Sequence, residues 1–227
     1  RLNAPRSAMI TPAGRLVVAD TQNHRVLMWN QVPRAGELPD FVVGQRFMNT
    51  CAPNDLDQNG SGDGSPEAHT LNSPTSVWSD DVKLVVVDQG NHRVLIYDFP
   101  TGDGAQAKAV LGQERFSDQS PNMGQPTSSD ITMFSPESVD VREGGQMAGA
   151  GAGNHRVLIW DAFPTAMSQA ANQVIGQSAF GRNGPNAGGT PGASTLRSPS
   201  GVRFHERNLV VVDRSNHRVL VFPAKAD

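Results

Sequence analysis

The string Asn-His-Arg-Val-Leu occurs four times in this chain, beginning at Asn23, Asn91, Asn154 and Asn216. The intervals are 68, 63 and 62 residues, and no other feature constrains the fold as strongly. Each copy runs into an apolar or aromatic pair: Met28-Trp29, Ile96-Tyr97, Ile159-Trp160 and Val221-Phe222. Two further markers keep the same phase. A proline precedes each copy, at Pro5, Pro74, Pro136 and Pro199. A Gly-Gln pair follows three of them, at Gly44, Gly112 and Gly176, each time after two apolar residues.

One unit reads as four short strands. In the second, Ser76–Ser79 follow Ser-Pro and form a first strand. Leu84–Val87 are apolar and mostly β-branched, which predicts a second strand buried on both faces. Asp88-Gln89-Gly90-Asn91 supplies turn residues, Arg93–Asp98 form a third strand and Ala109–Gly112 a fourth. No stretch has a helical period. An all-β chain of repeated four-stranded antiparallel units suits a β-propeller, in which each blade covers a face its neighbour cannot bury alone. A β-sandwich is the other architecture for such strands, but it does not explain why the whole motif recurs in phase.

Asp-x-x-Asn-His-Arg-Val after an apolar strand resembles the NHL repeat. The long bacterial form is most similar, with Val-Ile-Gly-Gln and then a phenylalanine (Phe47, Phe116, Phe180). The resemblance implies one β-propeller over 1–227, with repeats at approximately 2–45, 71–113, 133–177 and 196–227. It implies no single activity, because propellers of this family include enzymes, RNA binders, protein-interaction modules and extracellular sensors.

Two units depart from the pattern. Asp20, Asp88 and Asp213 precede their motifs, but the third unit has Gly151 there. Its second strand reads Gln146-Met147-Ala148-Gly149-Ala150, without valines, so this blade is expected to be the least well packed. The fourth unit has no Val-Ile-Gly-Gln strand, so its blade lacks an outer strand. That edge stays open, pairs with further blades of a longer protein, or pairs with another chain. Arg1, not Met, begins the chain, as after removal of a leader or from within a longer protein.

Alternating strand direction puts the Asn-His-Arg turns and the long inter-blade segments on one face. Those segments are 46–71, 114–133 and 178–196, rich in Gly, Asn, Ser and Pro. Loops of this length are often functional, so a ligand is expected on this face or at the channel mouth beside it.

The sharpest local motif is in the first of these loops. Asp55, Asp57, Asn59 and Asp63 stand at positions 1, 3, 5 and 9, Gly60 at 6, and Ser61 can offer a carbonyl at 7. Hard oxygen donors at this spacing fit a structural calcium site, although Pro66 stands where an EF-hand has its bidentate glutamate. The plain alternative is a polar flexible loop. The repeated His24, His92, His155 and His217 are a second metal candidate. A residue present in every blade more often serves the blade, here by bonding the turn while Arg25, Arg93 and Arg218 tie it to the preceding acid.

Gly-x-Ser-x-Gly, His-Glu-x-x-His and phosphate-loop motifs do not occur. A net charge of −3 argues against nucleic acid as a partner. The single cysteine, Cys51, excludes an internal disulfide. No apolar run is long enough to span a membrane. These readings favour a non-enzymatic binding propeller, secreted or in the cell envelope. It would offer polar loops to a protein or glycan and could self-associate through its open edge. The alternatives are a metal-dependent lyase or hydrolase with a site on the central axis, and a structural segment of a larger assembly.

Overall fold

The structure is a computed structural model and describes residues 1–223. The first blade comprises β1 (Ser7–Ile10), β2 (Leu16–Asp20), β3 (Arg25–Trp29) and β4 (Phe41–Val43). The second comprises β5 (Pro74–Ser79), β6 (Lys83–Asp88), β7 (Arg93–Asp98) and β8 (Ala109–Leu111). The third comprises β9 (Pro136–Val141), β10 (Met147–Gly151), β11 (Arg156–Trp160) and β12 (Gln173–Ile175). The fourth has three strands, β13 (Gly201–His205), β14 (Asn208–Asp213) and β15 (Arg218–Pro223). Every blade is an antiparallel meander in chain order, and no α-helix occurs among the described residues. Four-stranded blades around a common axis make the β-propeller that the repeats predict. The last blade has three strands, also as expected.

The core is divided among three blade-to-blade seams. On β6, Leu84 and Val86 pack towards the first blade with Val17, Val26, Met28 and Val43. Val85 and Val87 point the other way and pack with Val139, Met147 and Leu158 of the third blade. All four β6 residues are fully buried, because a central strand is sandwiched by its neighbours on both faces. Burying one such side chain contributes about 1.5–3 kcal/mol, and an isolated blade would lose the cross-blade contacts on both faces.

The Gly-Gln marker has a steric reason. Gly44, Gly112 and Gly176 have φ of +92°, +90° and +94°. A Cβ on each would lie within 3 Å of Leu71, Met133 and Leu196, the residues that start the next unit. The glycine therefore serves both the turn and the close approach.

The third blade corrects one expectation, for it is not loosely packed. Met147, Ala148 and Ala150 are fully buried, and the Trp160 ring lies 3.5 Å from where a Gly149 Cβ would stand. The large aromatic fills the space beside Gly149, and a small cavity remains beside Gly151. Exposure concentrates instead in the fourth blade. The face of β14 and β15 turned away from the third blade carries Val212, Val219 and Val221, 40%, 58% and 59% exposed.

Candidate functional site

Each Asn-His-Arg turn is a three-way fastener. In the first, second and fourth blades a strand ends in its acid and a 3-10 turn follows; in all four the histidine takes the left-handed conformation at φ of +51° to +55°. In the second blade, Asp88 Oδ2 accepts from Arg93 Nε at 2.7 Å and from Asn91 Nδ2 at 2.8 Å. Its Oδ1 accepts the backbone N–H of Asn72 at 2.6 Å. Asp20 and Asp213 make the same three bonds in their blades. Arg93 then reaches the carbonyls of Glu67 and Thr70 in the loop before its blade and of Phe116 in the loop after it. The arginine thus bonds its turn to the acid as the spacing suggested, and it also gathers both neighbouring loops.

The histidine does something the sequence reading missed. The backbone N–H groups of His24, His92 and His155 close their own turns, but their rings reach beyond them. Each Nδ1 accepts the backbone N–H of the serine that opens the next blade: Ser73 at 3.0 Å, Ser135 at 3.2 Å and Ser198 at 3.0 Å. The left-handed backbone aims the ring outward across the seam. These rings are therefore spread one per seam and do not converge on a shared ion. Burial lowers all three histidine pKa values from the usual one; Asp88 opposes the shift at His24 and His92, and Arg197 adds to it at His155.

Another repeated signal went unread in the sequence, Pro-Asn at 53–54, 121–122 and 185–186. Asn54 and Asn91 exchange two side-chain amide bonds at 2.9 and 2.8 Å, buried from solvent. Asn122–Asn154 and Asn186–Asn216 repeat the exchange. The long loops are thus clasped onto the following blade's turn. They lie on one face, as strand direction predicted, but much of their polar character is consumed in holding the propeller together.

Within the first loop, Asp55, Asp57 and Asp63 bring carboxylate oxygens within 4.8 Å of one another. Asp55 is buried; the other two are exposed. Asp55 accepts the N–H groups of Asn59 and Gly60 at 3.0 and 2.8 Å, and Asp63 accepts that of Leu56 at 2.6 Å. Asn59 donates to Asp57 and accepts from the Ser61 N–H, so these two close the loop on itself. The three carboxylates are close enough to share one hard cation, since two oxygens bound at 2.3–2.6 Å lie at most about 5 Å apart.

The central channel is plugged at this face. Glu137, from the third blade, meets all the others: Arg6 at 2.9 Å, Gln89 at 2.8 Å and Arg214 at 3.8 Å. At the opposite end the channel opens into a cavity of about 870 Å³. The ends of β1, β5, β9 and β13 line it, with Met9, Trp78, Asp140 and Arg203 at the same position of each first strand. Asp140 is buried, accepts the Phe204 N–H at 2.6 Å and pairs with Arg203 at 3.2 Å. Burial raises its pKa against the pull of those two donors. Arg142 lies over the Phe204 ring, 5.6 Å from its centroid. Equivalent positions that carry four different residues cannot be explained by blade stacking.

The family model of the NHL repeat matches residues 196–222, the fourth blade. The same Asn-His-Arg fastener recurs in the other three blades. This chain is a β-propeller whose fourth blade is an NHL repeat. No curated protein sequence matches it. Among solved structures, an auxiliary nutrient binding protein from Bacteroides ovatus is similar at 12% identity over 99% of this chain and 49% of that one, with a TM-score of 0.59. A chain of a nidogen/laminin complex is similar at 12% identity, over 98% of this chain and 60% of that one, with a TM-score of 0.53. The computationally designed Ika4 protein is similar at 11% identity, over 99% and 94%, with a TM-score of 0.50. At such identities the likeness is one of fold. The chain spans about half to three fifths of the length of these two natural chains. None of its described helices is long and apolar enough to cross a membrane.

Proposed function

We propose that this propeller is a binding module that takes a protein or glycan ligand at the open end of its channel. The observation carrying this reading is the 870 Å³ cavity, lined by residues that differ from blade to blade. An aromatic floor from Trp78 and Phe204, with Asp140, Arg142 and Arg203 at its edges, suits a polar ligand with an apolar face. The loop face, where a ligand was first expected, supports it less, because its Asn, Gln and Arg side chains bond the chain itself. In this proposal the loop around Asp55, Asp57 and Asp63 holds calcium as a structural pin, and the protein works outside the cell or in its envelope. Asn59 and Ser61 keep the loop closed. Self-association through the exposed valines of the fourth blade belongs to the same reading.

The test is a screen of immobilised glycans and peptides, repeated with Trp78→Ala and Arg203→Ala. Binding that both variants weaken at least tenfold, with unchanged melting temperature, supports the channel mouth. Binding indifferent to both, or none across the panel, overturns it.

A further inference from the structure

In three blades a buried aspartate collects three donors, a backbone N–H, an asparagine amide and an arginine Nε. The third blade keeps the donors and lacks the acid. Gly151 stands in its place, and the matching groups are the Phe134 N–H, Asn154 Nδ2 and Arg156 Nε. Asn154 Nδ2 donates only to Asn122, where Asn91, Asn23 and Asn216 also reach their aspartate. Neither the Phe134 N–H nor Arg156 Nε has an acceptor among the described residues. Arg156 forms no ion pair among them either, although it is 1% exposed.

Arg156 holds its other nitrogens on Ser128 Oγ and on the carbonyls of Phe180, Ser129 and Thr132. Those are neutral acceptors. Asp130 is the charge that offsets burial, and the guanidinium is still drawn down to about 10. A small cavity lies against this group, lined by Gly149, Gly151, Asn154, Arg156 and Pro136. Its volume is about 10 Å³, room for roughly one water-sized occupant. A Cβ built on Gly151 would meet nothing closer than 3.7 Å, so the missing side chain leaves open space.

We infer that this cavity binds one small monovalent anion, a halide, which takes the place of the absent aspartate. A buried cation whose Nε is unspent, beside an asparagine amide with one N–H to spare, favours an anion over neutral water in a low-dielectric pocket. The site then completes the third fastener with an exchangeable counter-ion where the other blades use a fixed one.

Bromide-soaked crystals and thermal unfolding in two salts test this. The expected result is an anomalous bromide peak within hydrogen-bond reach of Arg156 Nε. Chloride should raise the melting temperature by about 2–4 °C over gluconate, too large to enter, at equal ionic strength. Gly151→Asp, which supplies its own carboxylate, should lose that difference. A cavity with no halide peak, equal melting in both salts, or a chloride effect persisting in Gly151→Asp overturns the inference. Should Gly151→Asp fail to fold, the bromide map and the salt comparison on the unaltered protein decide it.

Discussion

His92 Nδ1 accepts the backbone N–H of Ser135 across a blade seam, at 3.2 Å. The bond needs a neutral ring nitrogen, and His24 and His155 make its counterparts at the two other seams. The folded protein holds these histidines below their ordinary pKa, through burial. Between the folded value and the unfolded one near 6.5, the unfolded chain binds more protons. Stability is therefore fully present above pH 6.5 and declines as pH falls below it. Urea midpoints from pH 8 to pH 5 should drop, and the drop should shrink in His92→Gln. A flat profile would refute the role given to these bonds.

Asp88 and Arg93 are both fully buried and 2.7 Å apart. Asp88→Ala leaves a buried guanidinium unpaired and is expected to cost about 3–5 kcal/mol in denaturant unfolding. Removing Asp98, whose bond to Lys83 is exposed, should leave the midpoint unchanged. Equal effects would show that burial of the pair is not what matters.

Gly112→Ala meets two obstacles, φ of +90° and contacts under 3 Å with Met133 and the His92 carbonyl. The backbone part alone is expected to cost about 1–3 kcal/mol. Gly144→Ala, at φ +91° with open space around it, separates strain from clash and should cost less. Calorimetric melting of both variants measures the difference.

Calcium should bind with a stoichiometry near one and raise the melting temperature, with the gain abolished by chelator and by Asp57→Ala. Titration calorimetry checks it. Asp118→Ala, in the second long loop, is the control that should keep the binding. No heat on titration would return the loop to a purely hydrogen-bonded turn.

Val219 and Val221 present an apolar strand face to solvent. Sedimentation at rising concentration should show self-association that Val219→Lys with Val221→Lys abolishes. A monomer at every concentration would remove this surface from the list of partners.

Much of the fold was legible before any coordinate, because stacking imposes the same demands on each blade and so writes them as a period. The valine run of β6, the turn after Asp88 and the strand Arg93–Asp98 were all readable this way. The third blade was misjudged because Gly149 and Trp160 compensate each other only in space. The fasteners were half legible. Asp–Arg spacing pointed to a local pair, but the histidine bond crosses to residues more than 40 positions away, and the Pro-Asn signal has meaning only when its partner is known.

The sequence by itself determined the propeller, its four blades, the three-stranded last blade and the shared face of the turns, since each follows from local period and strand alternation. Only the tertiary structure decided which loops are spent on clasping, that Glu137 closes one end of the channel, and that Arg156 faces space where its acid should be. Those depend on which side chains meet across seams and across the axis, and no spacing along the chain encodes that meeting.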